Sequence, residues 1–100
     1  MVMFGGEVMK SKKKFMVVAS ALETAVAYDD NSKYDLMVDA AAQLRSMLAG
    51  DEVALTRADK VRVLKSLTKA KVRAFMQGTT ESYQTFRTLD TISTDIVRLL

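Results

Sequence analysis

Proline is absent from this chain of 100 residues, and glycine occurs only four times, at Gly5-Gly6, Gly50 and Gly78. Proline removes a backbone donor and clashes with the preceding turn, and glycine weakens a helix interior by about 1 kcal/mol. With these breakers confined to three places, the intervening stretches can run as long helices wherever apolar residues recur at helical spacing.

They do so four times. From about residue 8 to 28, Phe15, Val18, Leu22 and Ala25 recur at i, i+3, i+7 and i+10. Met16-Val17-Val18 also suits the start of a strand, but the pattern continues through an Ala-rich stretch to Ala27, which favours helix. Asp29-Asp30-Asn31-Ser32 is a turn cluster. A second segment, Lys33 to Ala49, has Ser32 as N-cap, Asp35 near its positive end and Gly50 as C-terminal cap. Its expected buried stripe is Tyr34, Met37, Ala41, Leu44 and Leu48, and Ala40-Ala41-Ala42 permits close approach of another helix. The third segment begins at Thr56, which forms a capping box with Asp59, and is ended by Gly78. Val61, Leu64, Leu67, Val72 and Phe75 are expected to face its core. The fourth runs from about Thr80, with Phe86, Leu89, Ile92, Ile96 and Leu99 as a wide apolar stripe and Tyr83, Val97 and Leu100 at its edges. Thr85, Thr88, Thr91 and Thr94 recur every third residue, a period that drifts around a helix, so they read as flanking positions.

Short connections favour antiparallel neighbours. The expected fold is therefore all-α: one domain forming a small up-and-down bundle of about four helices, or a three-helix core with a mobile arm. Residues 1–9 read as a disordered or non-native leader. Gly5-Gly6 can be encoded by a purine-rich ribosome-binding sequence just ahead of the Met9 codon, which would make Met9 the natural start in a bacterial or phage gene. Lys10 and Lys12–Lys14, then Phe15–Ala19 and Ala25-Val26-Ala27, give a crude signal-peptide order, but Glu23 interrupts the apolar region. The expected location is cytoplasmic, with export the weaker alternative. No stretch approaches the roughly 20 apolar residues of a membrane span.

Composition narrows the chemistry. Without cysteine there are neither disulfides nor thiolate metal sites, and without histidine the commonest general base and metal ligand are missing. No phosphate-binding glycine loop occurs. Asp29, Asp30, Asn31 and Asp35 have the wrong spacing for a calcium loop, because Lys33 occupies a ligand position. Asp35 and Asp39 share a helix face without a histidine partner. The expectation is a protein that catalyses nothing and holds no cofactor or metal.

One segment stands out by charge. Residues 1–50 carry six basic and six acidic groups, whereas residues 51–100 carry nine and six. Seven of those cations fall between Arg57 and Met76, against the single acid Asp59. Arg62, Lys65, Lys69 and Arg73 recur at i, i+3, i+7 and i+11 and should line one ridge opposite the core. Such a ridge suits an acidic protein surface, or the phosphate backbone of DNA or RNA, or only water. No aromatic residue was expected to interleave with it, which argues against stacking on single strands. The favoured reading is a small binding or regulatory module that docks on a partner protein or on a second copy of itself, with nucleic-acid binding through residues 57–76 as the alternative.

Overall fold

The computed structural model describes residues 2–28, 33–50 and 52–100, with side chains described from Ser11 onward. These residues form four helices and no strand: α1 (Val2–Ala27), α2 (Tyr34–Gly50), α3 (Arg57–Met76) and α4 (Thr80–Leu99). From Val2 onward the segment read as a leader is part of α1, and among the residues whose side chains are described the first buried one is Phe15. The turn cluster Asp29–Ser32, including the expected N-cap, lies outside the described residues.

Helix ends follow local chemistry. The Thr56 hydroxyl accepts from the Asp59 amide at 3.1 Å, and the Asp59 carboxylate accepts from the Thr56 amide at 3.0 Å. This is the capping box expected from sequence, and it satisfies two donors that a helix start leaves open. The same reciprocal arrangement starts α4, with Thr79 and Ser82 paired at 3.0 Å in both directions. Ser82 is buried, so its hydroxyl has to be satisfied there, and it also donates to the Thr79 carbonyl at 3.0 Å. Gly78 has φ of 70°, the left-handed conformation that lets the chain reverse between α3 and α4. Gly50 differs from expectation: it is the last residue of α2 and has no positive φ, so it ends the helix without a left-handed cap.

Two stripes match the sequence reading closely. Phe15, Leu22 and Ala25 are buried on α1, joined by Ala19 and Val26, and Val18 packs at the edge. Tyr34, Met37, Ala41 and Leu44 are buried on α2, with Leu48 at the edge. On α4 the buried positions are Leu89, Ile92 and Ile96; Phe86 packs partly against the core, and Leu99 is exposed.

α3 is rotated from the expected register. Its buried face is Val63, Ser66, Leu67, Ala70 and Ala74. Of the five residues expected inside, only Leu67 is fully buried; Leu64 is half-buried, and Val61, Val72 and Phe75 are exposed. Small side chains occupy much of the inward face, and the bulky ones are then left on the outer side. The inner set recurs at i, i+4, i+7 and i+11 from Val63, as regular a helical stripe as the one expected.

The helices alternate in direction, but consecutive helices are not always adjacent. α1 packs against α2, α2 against α4, α4 against α3 and α3 against α1, which leaves α2 and α3 across a diagonal. Contacts give the directions. Lys12, Glu23 and Val26 of α1 meet Asp59, Arg62 and Arg73 of α3 in ascending order, so those two neighbours are parallel. α2 and α4 are parallel as well: Asp35 and Glu81 line one groove, and Arg45 meets Asp95 at 3.1 Å further along. Lys60 with Leu100 and Lys71 with Asp90 make α3 and α4 antiparallel. The connection from Gly50 to Arg57, described over residues 52–56, crosses the base of the bundle. Six residues reach at most about 20 Å, enough for the diagonal between helices packed 8–10 Å apart, roughly 13 Å. Val53 and Leu55 of this crossing pack against the core and close its lower end.

Two measurements check this account. Leu67→Ala should lower unfolding free energy by about 2–5 kcal/mol, as expected for a buried leucine. Val72→Ala should change it by no more than about 0.5 kcal/mol, as for an outward position, whereas the register expected from sequence requires a core-sized loss at both. The hydrogen bonds from Thr56, together with Lys12 at 3.2 Å, hold the Asp59 carboxyl below its ordinary range. A depressed pKa gives stability that is present above the unfolded value and lost as pH falls through the folded one. Wild type should therefore melt above Asp59→Asn at about pH 7, and this gap should narrow as pH falls below the ordinary carboxylate range and through the lowered Asp59 pKa.

Candidate functional site

The ridge expected to carry function, Arg62, Lys65, Lys69 and Arg73, is divided by the fold. Arg62 turns toward α1, where its Nη2 lies 2.5 Å from Glu23 Oε1 and its Nε 3.1 Å from each carboxylate oxygen. Its Nη2 also reaches the Ser20 hydroxyl at 3.4 Å. The Glu23 carboxylate raises the Arg62 pKa through these hydrogen bonds and through its charge. Arg73 donates to the Val26 carbonyl, one of the last carbonyls of α1, which have no partner within the helix. A cation at that point also suits the negative end of the α1 dipole. Lys65 and Lys69 are exposed and form no ion pair with a described residue.

Other cations of α3 are engaged on its opposite edge. Lys71 meets Asp90 of α4 at 3.3 Å, and Lys60 donates to the Leu100 carbonyl at 3.4 Å, at the negative end of α4. The charge of this helix is thus directed sideways to both neighbours. A continuous positive face would need no acid from adjoining helices, and Glu23 stands directly against Arg62.

The outer surface near the α3–α4 turn is apolar instead. Val72, Phe75 and Met76 are 54%, 57% and 74% exposed, and Tyr83 across the turn is 52% exposed. The Phe75 ring meets that of Phe86 edge-on, with centroids 5.3 Å apart, and Phe86 lies 6.3 Å from Tyr83. The rings join the ends of α3 and α4 into one surface. On its α1 side, Val72 and Met76 also line a groove of about 670 Å³ with Val26 and Ala27, edged by Lys69 and Arg73. Aromatic residues therefore do border the cationic ridge, contrary to the expectation from sequence, because Phe75 faces outward. Tyr83 and Phe86, which the sequence places at the edge and in the stripe of α4, belong to this surface as well. The signal was available: Val63, Leu67, Ala70 and Ala74 already complete a helical stripe, which leaves Val72, Phe75 and Met76 without a place inside.

Elsewhere the surface is less directed. A groove of about 650 Å³ between α1 and α2 is lined by Val17, Ala21, Leu36 and Ala40, with Lys33 and Asp39 both present, so its charge is mixed. Asp35, Asp39 and Glu81 line a third groove. Asp35 and Glu81 stand in the first turns of α2 and α4, where a carboxylate suits the positive helix end. No group of three or more acidic residues suited to a metal occurs among the described residues, and no described helix is long and apolar enough to cross a membrane. Thr88, Thr91 and Thr94 each donate to the carbonyl four residues earlier, at 2.9–3.1 Å, so their hydroxyls are occupied by their own helix.

No protein-family model, curated protein or solved structure matches the chain. A functional reading rests on this surface alone.

The division of the ridge makes a testable difference. Arg62→Gln and Arg73→Gln should each lower the melting temperature, because each removes a link to α1. Lys65→Gln and Lys69→Gln should leave it within about a degree, as isolated surface substitutions do. Circular dichroism melts of the four variants measure this directly.

Proposed function

We propose that this protein is a docking module that acts by binding a partner protein, without catalysis, through the outer face of α3 and the α3–α4 turn. The observation that carries the reading is that Val72, Phe75 and Met76 are exposed while Ser66, Ala70 and Ala74 of the same helix are buried. The fold does not need the outward apolar side chains for its core. A contiguous exposed apolar surface with aromatic residues is characteristic of interaction sites. Methionine adds an adaptable, unbranched contact, and Tyr83 combines an apolar ring with a polar tip.

The reading that uses phosphate backbone draws on Lys65 and Lys69, but Arg62 and Arg73 are committed to α1. Two free lysines give a shallow salt dependence compared with proteins that neutralise many phosphates. Docking on protein fits the apolar surface as well as the charge.

Affinity capture from host extract, run in parallel with wild type and a Phe75→Ser/Tyr83→Ser double variant, separates the readings. A polypeptide retained by wild type and lost from the folded double variant is the expected result. Retention that survives the double variant overturns this surface as the docking site. Duplex DNA or RNA binding that weakens with salt and is abolished by Lys65→Glu/Lys69→Glu favours the phosphate reading instead.

A further inference from the structure

We infer that the outer face of α3 takes an acidic amphipathic helix: a partner segment with an apolar stripe flanked by carboxylates. This rests on the docking reading above and specifies the chemistry of the partner. The apolar line is Val72, Phe75 and Met76, extended across the turn by Tyr83. Exposed cations border it: Lys65 and Lys69 on α3, and Arg87, one helical turn beyond Tyr83 on α4. Two acids on the flanks are paired: Glu23, which lines the groove beside the line, with Arg62, and Asp90 with Lys71. The remaining acid at this end, Glu81, lines the groove between α2 and α4 instead, so the exposed charge on the same face as the apolar line is mainly positive.

That asymmetry selects among occupants. A second copy docked through the same face by two-fold symmetry would bring two surfaces edged by Lys65, Lys69 and Arg87 together with no exposed carboxylate among the described residues of that face to pair them, and like charges in an interface are costly. A nucleic acid would satisfy the cations but leave Val72 and Met76 against a polar backbone. A single strand could stack on exposed rings, but Phe75 and Phe86 already pack edge to face against each other. An amphipathic helix satisfies both parts, because its side chains at i, i+3, i+4 and i+7 form an apolar stripe of matching width with room for carboxylates on either side. The groove of about 670 Å³ between α1 and α3 gives one edge of that stripe a place to enter, with Lys69 at its rim.

The test uses the full chain and three fluorescent peptides of about five helical turns. One has leucine at i, i+4, i+7 and i+11 with glutamate on both flanks, one has lysine in place of glutamate, and one has the acidic composition in scrambled order. Anisotropy titrations should show the acidic amphipathic peptide binding at least tenfold more tightly than the other two. Lys65→Glu/Lys69→Glu should invert the preference between acidic and basic flanks, and Phe75→Ser should weaken both amphipathic peptides about tenfold. These substitutions lie on the surface, and circular dichroism confirms that each variant is folded.

Equal affinity for acidic and basic flanks, lost in Phe75→Ser, overturns the acidic partner while the docking face stands. Equal affinity for the scrambled acidic peptide shows charge attraction alone and overturns the helical partner. Failure of every peptide to bind overturns the inference. If in that case duplex DNA or RNA binds through Lys65 and Lys69, the docking reading fails with it. A dimer by sedimentation that Phe75→Ser dissociates assigns the face to self-association and likewise overturns the acidic partner.

Discussion

The narrow side chains on the inner face of α3 are the constraint from which much of this structure follows. Ser66, Ala70 and Ala74 bring little volume to the core, so the inner face of α3 is narrow. From the edges of that face long cationic side chains reach the neighbours, Arg62 and Arg73 to α1 and Lys60 and Lys71 to α4. The narrow face also decides where the bulky residues go. A helix that spends its inner face on alanine and serine must carry Val72, Phe75 and Met76 on the outside. The surface proposed to bind a partner and the contacts that hold the helix in place thus have a common origin.

Parallel neighbours raise an electrostatic problem, because they put like helix ends side by side. α1 and α3 bring two negative ends together, and Arg73 donates to the Val26 carbonyl there. α2 and α4 begin beside each other, and Asp35 and Glu81 occupy their first turns, which accounts for the acidic groove without a bound cation. At the other end of the same pair, Arg45 is joined by Arg98 in the last turn of α4. Tyr34 sits between these influences. Burial raises its pKa, the nearby Arg73 opposes that rise and Glu81 adds to it.

The element types and the main breaks were legible in the sequence because proline is absent and the remaining punctuation is local: Thr56 with Asp59 and Gly78 each act within a few residues. The stripes of α1 and α2 were legible for the same reason, since their large apolar residues coincide with the inward face. α3 was not, because size and burial part company there. Ranking residues by hydrophobicity prefers Val72 and Phe75 to Ala70 and Ala74, whereas close packing prefers the reverse. The division of the cationic ridge was beyond a one-helix reading altogether. Which of Arg62, Lys65, Lys69 and Arg73 is engaged depends on Glu23 and Val26, some 40 residues away in sequence. Likewise, short connections correctly implied alternating directions, but they did not distinguish a diagonal crossing from an adjacent one.

The crossing between α2 and α3 has a consequence for how the molecule ends in space. It lays one helical hairpin on another in register, α3 over α1 and α4 over α2, as successive layers do in stacked helical repeats. A stack of two layers has two outer faces. In such arrays a terminal layer is normally closed by a polar exterior. Here the layer formed by α3 and α4 presents Val72, Phe75, Met76 and Tyr83, and the layer formed by α1 and α2 presents Val17 and Leu36. By this geometry both layers of the bundle keep apolar side chains on the outside, where a repeat array would end in polar ones.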